Sequence, residues 1–363
     1  MKIALVGCRG IPARYGGFET LAEQLAVRLA AKGHQVLVYC RGSYAPRDIK
    51  VPAGVTRVSL PALYTKHLET ISHTFLCALH QLFWPADAVL LMNNANAIFI
   101  PLLKFRQKKI FVHVDGLEWQ RDKWGRLARA WHQWSESWAV RWADGLISDS
   151  HVIAEYYAKT HGRRPAYAAY GADFAASADV ALLEPFGLTP GEYLLFVGRM
   201  EPENHPDLVI SAHNRLGSLA AAQPLVIVGW APYAKAYEQR LRAMANPRVL
   251  FLGGVYGNAY RALLQHCRVF LHASSVGGTH PVLVEAMGEG KPILSSDIPE
   301  NRETLGDGAE FFELNSEALT AKLQGILEDP SASVSLSQKA KQRALKYYRW
   351  DEVADAYEKI FCG

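Results

Sequence analysis

Four short stretches of this chain concentrate the residue types that do chemistry. His113-Val-Asp115-Gly-Leu-Glu118-Trp119-Gln-Arg121-Asp-Lys-Trp124 crowds titratable groups and two tryptophans into twelve residues directly after a β-like apolar run. At the C-terminal end of a strand, where open α/β sheets bind ligands, that density predicts a functional cluster rather than a folding element. Phe196-Val-Gly198-Arg199-Met-Glu201-Pro-Glu203-Asn204-His205-Pro206 reads as strand, turn and helix start, with Arg199 placed to fork onto phosphate oxygens. Gly7-Cys-Arg-Gly10-Ile-Pro-Ala-Arg14-Tyr-Gly16-Gly17-Phe-Glu19 lacks the compact G-x-G-x-x-G of a dinucleotide site. Its paired Gly16 and Gly17 stand directly before a helix, where bare backbone and a positive helix end suit a diphosphate, although a tight loop needing positive φ would use the same residues. In Leu271-His272-Ala-Ser-Ser-Val-Gly277-Gly278-Thr279-His280-Pro281-Val-Leu-Val-Glu285, a strand enters a Gly-Gly-Thr loop that feeds a helix. Glu285, one turn inside, can accept hydrogen bonds from adjacent sugar hydroxyls.

The elements that must hold these groups repeat one phrase: an apolar run, a Gly-rich or polar turn, then an amphipathic helix. Strands are predicted at Ile3 to Gly7, Gln35 to Cys40, Ala88 to Met92, Lys109 to His113, Gly145 to Ser148 and Pro165 to Ala169. After a weak Pro/Gly/Thr break at 185–191, the phrase restarts with Tyr193 to Gly198, Pro224 to Gly229, Arg248 to Leu252, Arg268 to His272 and Pro292 to Leu294. Helices are predicted at Phe18 to Lys32, Ala259 to His266 and Val282 to Glu289. Alternation of this kind implies an α/β fold of two doubly wound, Rossmann-like domains in series, with strand ends facing a central cleft. The last segment has apolar residues at 350, 353, 354, 357, 360 and 361, a helical stripe whose place periodicity does not give.

The length, 363 residues, suits two such cores, and 50% hydrophobic with 20% charged residues excludes a disordered or low-complexity chain. Net charge is +4 but unevenly laid down: residues 1–172 hold 22 Lys and Arg against 12 Asp and Glu, a net of +10, and residues 173–363 carry −6. No signal-peptide or membrane-spanning pattern is expected, since only six apolar or small residues precede Arg9. The five scattered cysteines lack zinc or redox spacing and are expected to be reduced, buried thiols of a cytosolic protein.

Taken together, the motifs of residues 193–315 resemble the donor domain of family 4 glycosyltransferases of the GT-B fold. The strand-Gly198-Arg199 element, Tyr170-Gly171-Ala-Asp173, the Glu285-Ala-Met-x-x-Gly-Lys-Pro292 run and the Trp350 helix fall in that family's order. Gly-x-Arg-Gly-Ile-Pro-Ala-x-Tyr-Gly-Gly-Phe-Glu19, His-Val-Asp-Gly-Leu-Glu-Trp119, Val-Gly-Gly-Thr279 and Asn301-Arg302-Glu303 resemble its bacterial polysaccharide rhamnosyltransferases more closely. The resemblance implies a dTDP-L-rhamnose donor on a C-terminal domain (173–346), a lipid-linked saccharide acceptor on an N-terminal domain (1–172), and a C-terminal helix (347–363) crossing back to the first domain. Gly16, Gly17, Arg199, Asn204, Gly277, Gly278, Thr279 and Glu285 would bind donor. His113, Asp115 and Glu285 would be catalytic, and Arg14, Glu118, Trp119 and Arg121 would lie on the acceptor side. Two departures stand out: Asn204 replaces a family Lys beside the diphosphate, and Gly277 replaces a first Glu eight residues before Glu285. Arg199 and helix N-termini must then supply more of the leaving-group stabilisation.

The resemblance also implies transfer with retention. No D-x-D triplet is present, so the diphosphate is expected to be held without a metal or other cofactor. The basic first half suits pyrophosphate-linked lipid and an anionic inner membrane surface, making the protein cytoplasmic and peripheral. Trp124, Trp131, Trp134, Trp138 and Trp142, at spacings of 7, 3, 4 and 4 with Arg126, Arg129 and Arg141 between them, read either as an interfacial face or as a helix packing its apolar stripe on the sheet. The rivals are other transferases using UDP- or GDP-hexose, a nicotinamide oxidoreductase, a nucleotide-sugar epimerase and a silent binding module. The oxidoreductase lacks its glycine fingerprint and has Cys40-Arg41 where an acidic residue belongs. Nucleic acid is not an expected partner, for no recognition motif accompanies the basic half.

Overall fold

The apolar runs become parallel strands, the inner ones buried on both faces. In the computed structural model, which describes residues 1–44, 50–174 and 177–363, the first seven are β1 (Lys2–Val6), β2 (Gln35–Arg41), β3 (Val55–Leu60), β4 (Ala88–Met92), β5 (Lys109–His113), β6 (Gly145–Ser148) and β7 (Ala166–Tyr167). They form one sheet in the order β3-β2-β1-β4-β5-β6-β7. Every residue of β4 is buried, and a fully buried Leu such as Leu90 or Leu91 contributes roughly 1.5–3 kcal/mol. Chain order reverses between β1 and β4, so the carboxyl ends of β1, β4 and β5 border a crevice typical of ligand sites.

The second sheet repeats the plan. Its strands are β8 (Leu194–Val197), β9 (Leu225–Val228), β10 (Val249–Gly253), β11 (Val269–His272), β12 (Ile293–Ser296) and β13 (Glu310–Phe312), all parallel in the order β10-β9-β8-β11-β12-β13. Here the reversal falls between β8 and β11. The helix Pro206–Arg215 packs with Ser316–Glu328 on a core that includes Phe196, Leu225, Leu271 and Leu294. Two parallel-sheet, Rossmann-like α/β domains are thus present, as the alternating pattern predicts. The edge strands β3 and β13 are absent from that pattern because their half-exposed sequences carry little apolar signal.

By its contacts the chain falls into two units: Met1–Gln120, Trp124–Tyr170 and Trp350–Gly363 make the first, and Arg121–Lys123 with Gly171–Arg349 make the second. The helix Trp350–Cys362 therefore belongs to the first unit. It buries Trp350, Val353, Ala354, Tyr357 and Phe361, sets Phe361 5.3 Å from the Phe111 ring, and pairs Asp351 with Arg28 and Glu358 with Lys32 and His34. Cys8, Cys40, Cys77 and Cys267 are buried thiols, whereas Cys362 is exposed.

The helix Arg126–Trp142 departs from the packing alternative. Its buried face is His132, Ser135, Glu136 and Ala139, not the tryptophan stripe. Small and hydrogen-bonding side chains let it approach the 3-10 segment Asn94–Phe99 closely, with Asn94 and Tyr156 donating to the Glu136 carboxylate at 3.5 and 3.1 Å. Trp131, Trp134, Trp138 and Trp142 instead stack in a ladder along the helix, with centroids 5.4, 4.9 and 5.8 Å apart. Trp134 and Trp142 are exposed, and Leu127 is 90% exposed beside them.

Candidate active site

In the first unit, His113 ends β5 and is wholly buried. Its ring stacks on Tyr357 at 6.5 Å and meets the Phe18 edge at 5.3 Å. Burial pushes the imidazole down to about 3, so it is neutral. The Asp115 backbone N–H donates to Nδ1 at 3.3 Å, which assigns the proton to Nε2. That Nε2 is buried and has no protein acceptor. A neutral, fixed donor of this kind can orient a substrate hydroxyl, but it is a poor general base. Asp115 stands beside it in the left-handed region, φ 47°, a strained position for a residue other than Gly.

The glycine loop after β1 is held from inside. Glu19, in the first turn of helix Gly17–Ala31, accepts the Arg9 backbone N–H at 2.6 Å. The Arg9 guanidinium bonds Glu69 at 3.1 Å and lies 3.4 Å over the Tyr15 ring. Gly16 is the N-cap and no side chain caps the helix, which leaves its start suited to an anion. Arg14 is exposed. Glu118, by contrast, is buried and accepts the Trp124 indole N–H at 3.3 Å, and Trp119 packs half-buried against the core, 6.5 Å from Tyr156. Both brace the loop instead of standing open to an acceptor.

In the second unit, the turn after β8 presents Arg199. A Cβ on Gly229 would fall 1.9 Å from the Gly198 carbonyl oxygen, so only glycine, here at φ +137°, lets the turn after β9 pack against it. Arg121, expected on the acceptor side with Glu118 and Trp119, groups by its contacts with the second unit. It is buried in the second unit, 3.6 Å from Glu203. Lys123 lies 3.1 Å from Glu201 and 3.7 Å from Glu203, and Arg199 3.6 Å from Glu201. Burial alone would raise the Glu201 carboxyl, but Arg199, Lys123 and Arg121 hold it down at about 2. Asn204 adds no charge to this cluster. Its amide donates to the Arg199 carbonyl at 2.8 Å and accepts from Ser274 Oγ at 3.4 Å, tying the β8 turn to the β11 loop.

The Gly277-Gly278-Thr279 loop is buried and leads into the helix Pro281–Gly288. Gly277 has a steric reason: a Cβ there would come within 2.4 Å of His280 Cε1. The imidazole fills the space a side chain at 277 would need. Glu285 is raised to about 7, chiefly by burial, against the hydrogen bond from the Tyr260 hydroxyl and with Asp173 and Glu289 adding to the rise. Residues that the sequence did not single out are Lys123, Tyr260, His272 and His280. Lys123 left no signal, since its partners stand 78 and 80 positions away. His272 and His280 flank the Gly-Gly-Thr loop and were legible by position.

Residues 16–171 match the glycosyl transferase 4-like domain and 184–343 the family described as glycosyl transferases group 1. The phosphatidyl-myo-inositol mannosyltransferase of Mycolicibacterium smegmatis is 27% identical over 228 residues, which cover 60% of this chain and 56% of that relative. Among solved structures, sucrose-phosphate synthase from Thermosynechococcus elongatus superposes with a TM-score of 0.82 at 18% identity over 99% of both chains. Anabaena HepE in complex with UDP-glucose gives 0.75 at 16% identity, again over 99% of both. The chain is a glycosyltransferase of GT-B fold that joins a glycosyl transferase 4-like domain to a group 1 domain.

Proposed function

We propose that the protein moves L-rhamnose from dTDP-L-rhamnose, with retention, to a lipid-linked saccharide during assembly of a bacterial surface polysaccharide. The observation that carries the donor half is the second unit's gathering of Arg121, Lys123 and Arg199 around two carboxylates, beside the Gly277-Gly278-Thr279 loop that leads into the side-chain-uncapped start of helix Pro281–Gly288 and its half-buried Glu285. Cations and helix N–H groups suit a diphosphate; a carboxylate one turn into the helix suits vicinal hydroxyls. The cations take the part a metal would otherwise play, so transfer continues in chelator.

In this reading a hydroxyl of the acceptor attacks the face from which the nucleoside diphosphate departs. The departing phosphate oxygen takes the hydroxyl proton, and His113 Nε2–H and Asp115 fix the sugar. The acceptor is assigned to the first unit, which holds most of the +10 stretch of residues 1–172 and where Leu127, Trp134 and Trp142 are exposed among Arg126, Arg129 and Arg141. That surface suits anionic headgroups of an inner membrane face. Among the described residues, no helix is long and apolar enough to span a membrane.

A UDP- or GDP-hexose is the second donor reading, favoured by the similarity to a mannosyltransferase and to UDP-glucose-bound HepE. A donor panel decides. With dTDP-L-rhamnose, UDP-glucose and GDP-mannose offered at equal concentration, the proposal expects rhamnose transfer at least about tenfold ahead in kcat/KM, or about 1.4 kcal/mol. A hexose preferred by that margin would replace the donor and leave the site intact.

A further inference from the structure

Two histidines of the second unit take no part in the proposed transfer. His272 ends β11, at the point where strand order reverses. His280 is the N-cap of helix Pro281–Gly288. Their ring centroids are 4.5 Å apart at an interplanar angle of 57°. His272 is 5% exposed, and neither of its ring nitrogens has a hydrogen-bond partner; His280 Nε2 has none either. Buried polar nitrogens are nearly always satisfied, so three orphans in one pair mark a place built for something polar from outside the chain. The pair adjoins the Gly277-Gly278-Thr279 loop, with the His280 ring resting on Gly277.

The charged groups around the pair set its protonation. Arg121 and Arg199 both act on His280 to disfavour its cation, in addition to burial and to His272 itself. Glu201, Glu203 and Lys123 are engaged with those arginines and one another, and Glu285 lies one turn into the helix. A cation added here without a counter-ion would face two guanidinium groups. An arriving diphosphate reverses that balance.

We propose that the His272–His280 pair is a proton site coupled to donor: uncharged in the empty enzyme, it takes one proton from solvent onto an imidazole nitrogen when a nucleoside diphosphate binds. The resulting imidazolium adds a hydrogen bond and a positive charge to the phosphates, and it is relinquished when the nucleotide leaves. The proposal rests on the second unit being the nucleotide site. Because the complex holds the extra proton, affinity for the diphosphate must fall as pH rises towards and through the point at which the imidazolium of the complex gives that proton up.

The test is calorimetric titration of the full chain with UDP and dTDP in buffers of differing ionisation enthalpy at one pH, where the slope gives protons taken up. The expected result is uptake approaching one proton in the wild type, reduced by at least about half a proton in His280→Gln or His272→Asn with binding retained. Uptake near zero in the wild type, or equal uptake in wild type and both variants, overturns the proposal. If the variants do not fold, imidazole nitrogen shifts of the ¹⁵N-histidine-labelled wild type decide. One additional imidazolium in the complex supports the proposal, and none refutes it. Failure of either nucleotide to bind at all would instead count against the nucleotide-site reading itself and take this proposal with it.

Discussion

His113 shows how burial decides what a residue type does. A histidine at a strand end next to an aspartate suggests acid–base work, yet this imidazole is held near 3 and its Nδ1 accepts the Asp115 N–H. It therefore serves as a donor in one tautomer throughout the neutral range. His113→Ala should lower kcat by about 10²–10³, the usual loss for one oriented donor, with the fold retained by circular dichroism. The kcat profile between about pH 5.5 and 8 should keep its shape in His113→Gln; disappearance of an inflection near 6.5 would show that His113 titrates after all. Gly277→Ala tests the neighbouring logic in the second unit. Its Cβ would displace the His280 ring, so KM for donor should rise about tenfold or more, whereas a Cβ without consequence would leave it unchanged. Positions such as Arg199, Gly277 and Glu285 were legible in the sequence because strand-end and helix-start motifs are local. The pairing of Arg121 with Glu203 was not legible, because the two are remote in sequence and only the fold brings them together.

At the level of elements, periodicity located the inner strands well, β4, β5 and β6 to the residue, since strands buried on both faces are continuous apolar runs. It left open the face of helix Arg126–Trp142, which buries His132, Ser135, Glu136 and Ala139 and turns Trp134 and Trp142 outward, while Trp138 stays partly buried against the core. The reason is the Glu136 carboxyl, buried and raised to about 7 mainly by that burial, despite the hydrogen bond from Tyr156. A carboxyl that binds its proton more tightly folded than unfolded is fully favourable below about pH 4.5, and it loses that contribution as pH rises towards 7. Glu136→Gln should therefore gain stability relative to wild type between pH 5 and 8, by up to about 3 kcal/mol in urea denaturation. A difference independent of pH would mean that Glu136 is ionised from the outset. On the outer face, Trp134→Ala and Trp142→Ala should change stability by no more than about 0.5 kcal/mol while weakening flotation with liposomes containing anionic lipid. Equal flotation by wild type and variants, or none by either, would remove this helix from the membrane account.

For the whole molecule, the charge of +4 divides into +10 and −6 between the two halves of the chain. The structure adds that two cations of the basic half join one of the acidic half in the second unit: Arg121, Lys123 and Arg199 converge on Glu201 and Glu203. Two doubly wound domains and their order along the chain were readable from alternation alone, whereas the return of residues 350–363 to the first unit was not. An amphipathic stripe states that a helix packs but not on what. The central claim is that this chain transfers a sugar from a nucleotide to a lipid-linked acceptor, through donor contacts of the second unit. The most direct measurement is mass spectrometry of lipid-linked saccharide from a polysaccharide-producing bacterium, incubated with purified protein and the panel of nucleotide sugars. The account predicts a mass gain of one sugar that needs the nucleotide donor, survives chelator and is lost in Glu285→Ala at unchanged folding. No gain with any donor, or the same gain in Glu285→Ala, would contradict it.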